Sequence, residues 1–130
     1  MQEGSTIGRI LVVDDDYLIC KLLTERLSHE GYECQTCEAT EEALRLMARQ
    51  AFDLVILDLV MPGGMTGLEL LMTAHKQYPR TAFLIATGVH DASVEATAIR
   101  LGAAGYLVKP FDLDAVLRSV KRALDIRRQV

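Results

Sequence analysis

A doubly wound α/β fold, five parallel strands interleaved with five helices, is what this sequence predicts, on three observations. Short runs rich in Val, Ile and Leu recur at Ile10–Val13, Leu54–Leu57, Ala82–Ala86 and Gly105–Val108. They do not alternate with polar residues, as is expected of strands buried on both faces. Between them lie longer stretches in which apolar residues recur every three or four positions, the spacing of a helix with one buried stripe. Glycine or proline punctuates the transitions, as at Gly31, Pro79 and Gly102. Strands that alternate with helices specify a parallel sheet covered on both faces, because crossovers are right-handed almost without exception.

Arg9–Val13 forms the first strand and is closed by Asp14, Asp15 and Asp16. Leu18, Ile19, Leu22, Leu23 and Leu27 then recur at helical spacing, and Gly31 supplies the stop. Tyr32–Cys37 is a short alternating segment, a strand nearer the sheet edge. Thr40 is placed to cap a second helix whose apolar face includes Ala43, Leu44 and Met47. Leu54–Leu57 is the third strand, ending at Asp58. Pro62, Gly63, Gly64 and Gly67 make a loop, and Leu68, Leu71 and Met72 open a third helix that stops before Pro79. Ala82–Ala86 is the fourth strand and ends at Thr87-Gly88. A helix from about Ala92 to Leu101 follows, capped by Asp91 and ended by Gly102. Gly105–Val108 is the fifth strand, running into Lys109-Pro110. Asp112 caps a last helix with Leu113, Val116, Leu117, Val120 and Leu124 inward. One domain fills residues 1–130, with its core at about 9–123.

Composition narrows the function. The 130 residues are half apolar and a quarter charged, the balance of a globular domain with a real core. No apolar run approaches the roughly 20 residues of a membrane span, and Met1–Arg9 carries no signal-like stretch, so a cytoplasmic location is expected. A net charge of −4 argues against a nucleic-acid surface. Arg118, Lys121, Arg122, Arg127 and Arg128 gather near the C-terminus, where they complement the dipole of the last helix. Cys34 and Cys37 have no second Cys or His pair to complete a zinc site, and in a strand they point to opposite faces. They read, with Cys20, as thiols of a reducing compartment.

In parallel sheets the functional crevice lies outside the carboxyl ends of the strands. The first strand delivers Asp14, Asp15 and Asp16 there, the third Asp58, the fourth Thr87 and the fifth Lys109. Asp16 reads as a helix cap rather than a ligand. Taken singly, Thr87 could merely end a strand and Lys109 be a surface charge. Their collection at four strand ends on one side is what marks a site. Crowded carboxylates repel unless a cation is present, and a hard divalent ion with oxygen ligands, Mg²⁺ above all, suits them.

The residues Ile10–Asp15, Leu57–Pro62, Ala86-Thr87 and Gly105–Phe111 together resemble the receiver domain of bacterial two-component response regulators. The resemblance runs from about Arg9 to Ala123 in order and spacing. It implies the flavodoxin-like strand order 2-1-3-4-5, a property of that fold rather than something read from periodicity. It implies that Asp58 accepts a phosphoryl group from a histidine kinase or phosphotransfer protein. It also implies that Asp14, Asp15, Asp58 and the backbone carbonyl of Val60 hold Mg²⁺. Lys109 would pair with the phosphoryl group, its bond to Pro110 being usually cis in the family. Thr87 and Tyr106 would act as the switch that reports phosphorylation on the face of the fourth helix, fifth strand and fifth helix. That face would meet a downstream effector, and a homodimer through it is allowed. The domain would catalyse its own phosphotransfer and slow dephosphorylation without being a conventional enzyme, with Val60 and Val89 flanking the approach of water.

The sequence departs from the family at one place: four residues, Gly63–Thr66, separate Pro62 from Gly67 where many members have three. A longer, more mobile loop beside the site is expected. Rival functions fit less well. An Asp-nucleophile phosphohydrolase would need an acid/base two residues after the nucleophile, where Val60 stands. A flavin carrier would need a Gly/Ser/Thr cradle after the first strand, where three aspartates stand. A receiver acting only by contact would not need Asp15, Asp58, Thr87 and Lys109 together.

Overall fold

The computed structural model describes residues 7–128. Its elements are β1 (Gly8–Val13), α1 (Tyr17–His29), β2 (Tyr32–Cys37), α2 (Thr40–Arg49), β3 (Leu54–Leu57), α3 (Gly67–Gln77), β4 (Ala82–Thr87), α4 (Ala92–Arg100), β5 (Gly105–Val108) and α5 (Leu113–Arg128). All strand pairings are parallel, as the sequence pattern predicts, and the order is β2-β1-β3-β4-β5, as the family resemblance implies.

Because successive side chains of a strand point to opposite faces, the sheet divides the interior into two cores. Ile10, Val12, Leu54, Ile56 and Leu84 pack with Leu23 and Leu27 of α1 and Val116, Val120 and Leu124 of α5. Leu11, Val13, Val55, Leu57, Phe83 and Ile85 pack with Ala43 and Met47 of α2, Leu70, Leu71 and Ala74 of α3, and Ala98 of α4. The central strands are buried along their whole length, which is why their sequences do not alternate. Cys34 joins the first core and Cys37 the second, so the two thiols do face apart. All three cysteines are free, and burial pushes Cys37 up to about 12 and Cys20 to about 11.

The helix ends follow the polar side chains, with one correction. The carboxylates of Asp16, Asp91 and Asp112 accept from backbone N–H groups opening α1, α4 and α5. Thr40, however, does not cap α2. Ala39 occupies the cap position without a side-chain bond, and Thr40 is the first helical residue. Its hydroxyl is fully buried and donates instead to the Met65 carbonyl at 2.9 Å. On α1, Leu23 and Leu27 are buried, whereas Leu18 and Leu22 are 59% and 41% exposed. Helical spacing alone made the apolar stripe look wider than the face that packs. Gly102 ends α4 at φ +116°, and a Cβ there would lie 2.5 Å from the His75 ring, so only glycine fits. Among the described residues no helix is long and apolar enough to cross a membrane. Residues 1–6 of the N-terminal stretch and the Arg128 side chain lie outside the described part. Arg127 does more than complement a dipole, since it pairs with Asp53 at 2.9 Å.

Candidate functional site at the carboxyl ends of the strands

Asp14, Asp58 and Lys109 each stand one step past their strands and are still pinned by the sheet, with Thr87 at the end of β4. The Asp14 N–H donates to the Cys37 carbonyl, that of Asp58 to Val13, and that of Lys109 to Thr87, at 2.8–3.1 Å. The register that aligns Val13 with both Cys37 and Leu57, and Leu57 with Ile85, therefore sets the chemical groups side by side. Thr87 lies beside Val108, which places Lys109 next to it in the crevice.

The side chains converge. Lys109 Nζ lies 2.8 Å from Asp14 Oδ2 and 2.7 Å from Asp58 Oδ2. Asp14 and Asp58 are buried, at 2% and 7% exposure, and Asp15 is exposed. The remaining carboxylate oxygens are held too. Asp14 Oδ1 accepts from the Asp16 N–H at 2.9 Å and Asp58 Oδ1 from the Val60 N–H at 3.1 Å. Burial pushes the Asp14 carboxyl above its ordinary value, and the bond from Lys109 offsets this only in part. Burial alone would lower Lys109, but its bonds to Asp14 and Asp58 outweigh it and the ammonium is held more tightly than usual. Two buried carboxylates and a third beside them thus share one cation.

That imbalance fits a metal ion. Ligand atoms from Asp14, Asp15 and Asp58 all lie within 4.8 Å of one another. They are hard oxygen donors from two strands, the set suited to Mg²⁺ or a similar ion rather than a soft metal.

Thr87 is fully buried, and the only hydrogen bond of its hydroxyl among the described residues is accepted from the Val89 N–H at 3.4 Å. Its proton is uncommitted. The Tyr106 hydroxyl donates to the Val89 carbonyl at 2.7 Å, so the backbone of Val89 joins the two residues. The family resemblance pairs Thr87 with Tyr106 but does not disclose this link, in which Val89 takes part through backbone atoms alone. His90 faces solvent. The Lys109–Pro110 bond is cis.

The loop after β3 is not loose. The Thr66 side chain and Glu69 form a reciprocal capping box that opens α3. A Cβ on Gly67 would lie 2.5 Å from Leu59 Cα and 2.7 Å from the Asp58 carbonyl oxygen, so α3 starts against the site strand itself. Glu41 accepts from Gly64 and Met65. The extra residue is thereby absorbed by contacts with α2 that no local sequence signal announces. A cavity of about 590 Å³, lined by His75, Arg80, Gly102, Ile126 and Arg127 among others, lies at the opposite end of the sheet and holds none of these groups.

Known proteins resemble this chain in both sequence and fold. Residues 10–121 match the family model of the response regulator receiver domain. The response regulator protein FleR of Pseudomonas aeruginosa is 42% identical over 117 residues, which are 88% of this chain and 24% of that protein. The DNA-binding transcriptional regulator NtrC of Escherichia coli is 37% identical over 117 residues, 90% of this chain and 25% of NtrC. The chain therefore spans about a quarter of the length of these curated relatives. Among solved structures, a CheY-like receiver domain protein of Methanospirillum hungatei superposes with a TM-score of 0.89 at 31% identity, covering 95% of this chain and 98% of that one. The receiver domain of NtrX from Brucella abortus gives 0.84 at 36%, covering 89% and 98%. On this match of sequence and of fold, the chain belongs to the response regulator receiver domains.

Proposed function

We propose that Asp58 is the phosphoacceptor of a two-component system, and that Asp14, Asp15, Asp58 and the Val60 carbonyl hold the Mg²⁺ the reaction uses. One observation carries the reading: a buried Asp58 whose Oδ2 is 2.7 Å from Lys109 Nζ, beside two further carboxylates. An Asp58 oxygen attacks the phosphorus of a donor phosphohistidine. The P–O bond forms as the P–N bond breaks, and the imidazole nitrogen keeps the electron pair and takes a proton. Mg²⁺ would neutralise charge developing on the phosphoryl oxygens.

Lys109 is placed to follow Asp58 when its carboxylate becomes an acyl phosphate. The added group brings about −1.5 to −2 charges, and the ammonium is the one described side-chain cation bonded to Asp58. The uncommitted Thr87 hydroxyl supplies a donor to a phosphoryl oxygen. Its gain exists in one state only, which is what a switch requires. Val89 and Tyr106 would carry the change to the face formed by α4, β5 and α5.

The partners on this reading are a histidine kinase or phosphotransfer protein and a downstream effector, in the cytoplasm of a bacterium. The chain would act as one receiver domain over residues 1–130, without contacting nucleic acid itself, and a homodimer would use the α4–β5–α5 face. Incubation with a small phosphodonor and Mg²⁺, followed by intact mass, should show one added phosphoryl group. Asp58→Asn should abolish it, and a phosphorylated Asp58→Asn protein would refute the assignment.

A further inference from the structure

The long loop after β3 is fastened at three points, and two of them lie on α2. At its neck the Gly67 N–H donates to the Leu59 carbonyl at 3.3 Å. At its far side Glu41 Oε2 accepts from both the Gly64 and Met65 N–H groups at 3.1 Å. Beside it the buried Thr40 hydroxyl donates to the Met65 carbonyl at 2.9 Å and lies 3.2 Å from Glu41 Oε1. Gly63 completes the fit, since it sits at φ +113° and a Cβ there would come 2.8 Å from Glu41 Oε1. The first two residues of α2 thus satisfy three backbone groups of the segment that holds the extra residue. Glu41 also stands in the first turn of α2, where the helix dipole favours a carboxylate.

We propose that Thr40 and Glu41 are positioning residues for the metal side of the site: by clamping Gly64 and Met65 they hold the lengthened loop so that Val60 keeps its place beside Asp58. The proposal rests on the reading that Val60 helps to hold Mg²⁺. Val60 leaves Asp58 by a single hydrogen bond from its N–H and is itself 64% exposed. Nothing on its own side chain fixes it. Met61 and Met65 pack their side chains against the core, and the bonds of Gly67 and of the Thr40–Glu41 pair hold the loop backbone between them. A ligand site competent in only a fraction of molecules binds more weakly by that fraction. If release of the clamp leaves the loop in place in about a fifth of molecules, the apparent Kd for Mg²⁺ rises about fivefold.

The test is Mg²⁺ titration of the unphosphorylated chain by calorimetry or NMR, in wild type, Glu41→Ala, Glu41→Gln and Glu42→Ala. Glu41→Ala should raise the Kd about fivefold and speed amide exchange at Gly64 and Met65. Glu41→Gln keeps one oxygen that can accept from both amides, so it should restore much of the affinity. Glu42→Ala removes the neighbouring charge without touching the loop and should have the smaller effect. At saturating Mg²⁺ the rate of phosphorylation by a small donor should return to the wild-type value, a shift in KM for the ion with kcat kept. Should Glu41→Ala fold poorly, Gly63→Ala displaces the same contact from the loop side and should weaken Mg²⁺ likewise. Unchanged Kd in the Glu41 variants, or equal weakening by Glu42→Ala, overturns the clamp while leaving the phosphoacceptor assignment intact. A wild-type chain that binds no Mg²⁺ overturns both.

Discussion

Replacing Lys109 by methionine keeps most of the side-chain volume and removes the charge that Asp14 and Asp58 share. With contacts of 2.8 and 2.7 Å and an effective dielectric near 20, each attraction amounts to about 6 kcal/mol. The opposing repulsion between carboxylate oxygens up to 4.8 Å apart is about 3.5 kcal/mol on the same scale. Desolvation cancels much of this gross gain, and removing one partner of a buried pair costs about 3–5 kcal/mol. Lys109 keeps 21% exposure of its side chain, so the low end applies, about 3 kcal/mol without metal at pH 8. In urea, with a slope of about 2 kcal/mol per M, the midpoint falls by roughly 1.5 M.

The pH dependence of this loss has a definite sign. Asp14 is already raised by burial, with the Lys109 bond opposing it, so the variant raises it further. A carboxyl raised in the folded state binds more protons there than when unfolded, and its penalty fades as pH falls through the folded value. Lys109→Met should therefore recover stability on acidification towards pH 5 relative to wild type. Mg²⁺ at ten times its Kd should stabilise the protein by about 1.4 kcal/mol. Urea melts at pH 8 and pH 5, with chelator and with Mg²⁺, read out all of this. A loss that is the same under every condition would refute the charge argument and leave only packing.

Three further outcomes are expected. Thr87→Ala should still be phosphorylated at Asp58, but NMR shifts on the α4–β5–α5 face should shrink; unaltered shifts would rule out the Thr87 route. Gly67→Ala forces a methyl against Leu59 Cα, the Asp58 carbonyl and the Leu59 carbonyl, all backbone atoms within 2.9 Å, so a loss near the top of the 1–3 kcal/mol overpacking range is expected in chemical denaturation. Val60→Asn and Val89→Glu should hasten decay of the phosphorylated form in Mg²⁺, towards the ~10²-fold of a well-placed polar group, whereas unchanged decay would show that these valines do not limit hydrolysis.

The legible part of this molecule was the part written in short-range patterns. Continuous apolar runs gave the central strands, and the order of strand ends gave Asp14, Asp15, Asp58, Thr87 and Lys109, because Asp14, Asp58 and Lys109 each continue the ladder of the strand before them, and Lys109 does so through the Thr87 carbonyl. What escaped depends on long-range contacts. Thr40 looks like a cap from its neighbours, yet its hydroxyl meets the carbonyl of Met65, 25 residues away, and no periodicity encodes that. The loop at Gly63–Thr66 was expected to be mobile because it is one residue longer than in many receiver domains, whereas Glu41 binds its amides. The Val89 link between Thr87 and Tyr106 runs through main-chain atoms that every residue type carries.

On the proposed reading, that link would let a small energy move a surface. The Val89 N–H holds the Thr87 hydroxyl at 3.4 Å, the long limit of a hydrogen bond, and so contributes at the weak end of about 0.5–1.5 kcal/mol. A phosphoryl oxygen offers the same hydroxyl a charge-assisted bond of about 1.5–3 kcal/mol. If the side chain must turn from the Val89 N–H to reach that oxygen, the difference, about 1–2 kcal/mol, shifts a two-state population roughly 5- to 30-fold. Such a turn would release Val89 on its N–H side while its carbonyl still accepts from Tyr106 at 2.7 Å. Any movement of Val89 must therefore break the phenol's bond or take the ring with it. The stiff sheet that holds Asp58 and Lys109 need not move, because the strand ends are fixed by buried ladders and the loop that starts at Gly88 is not.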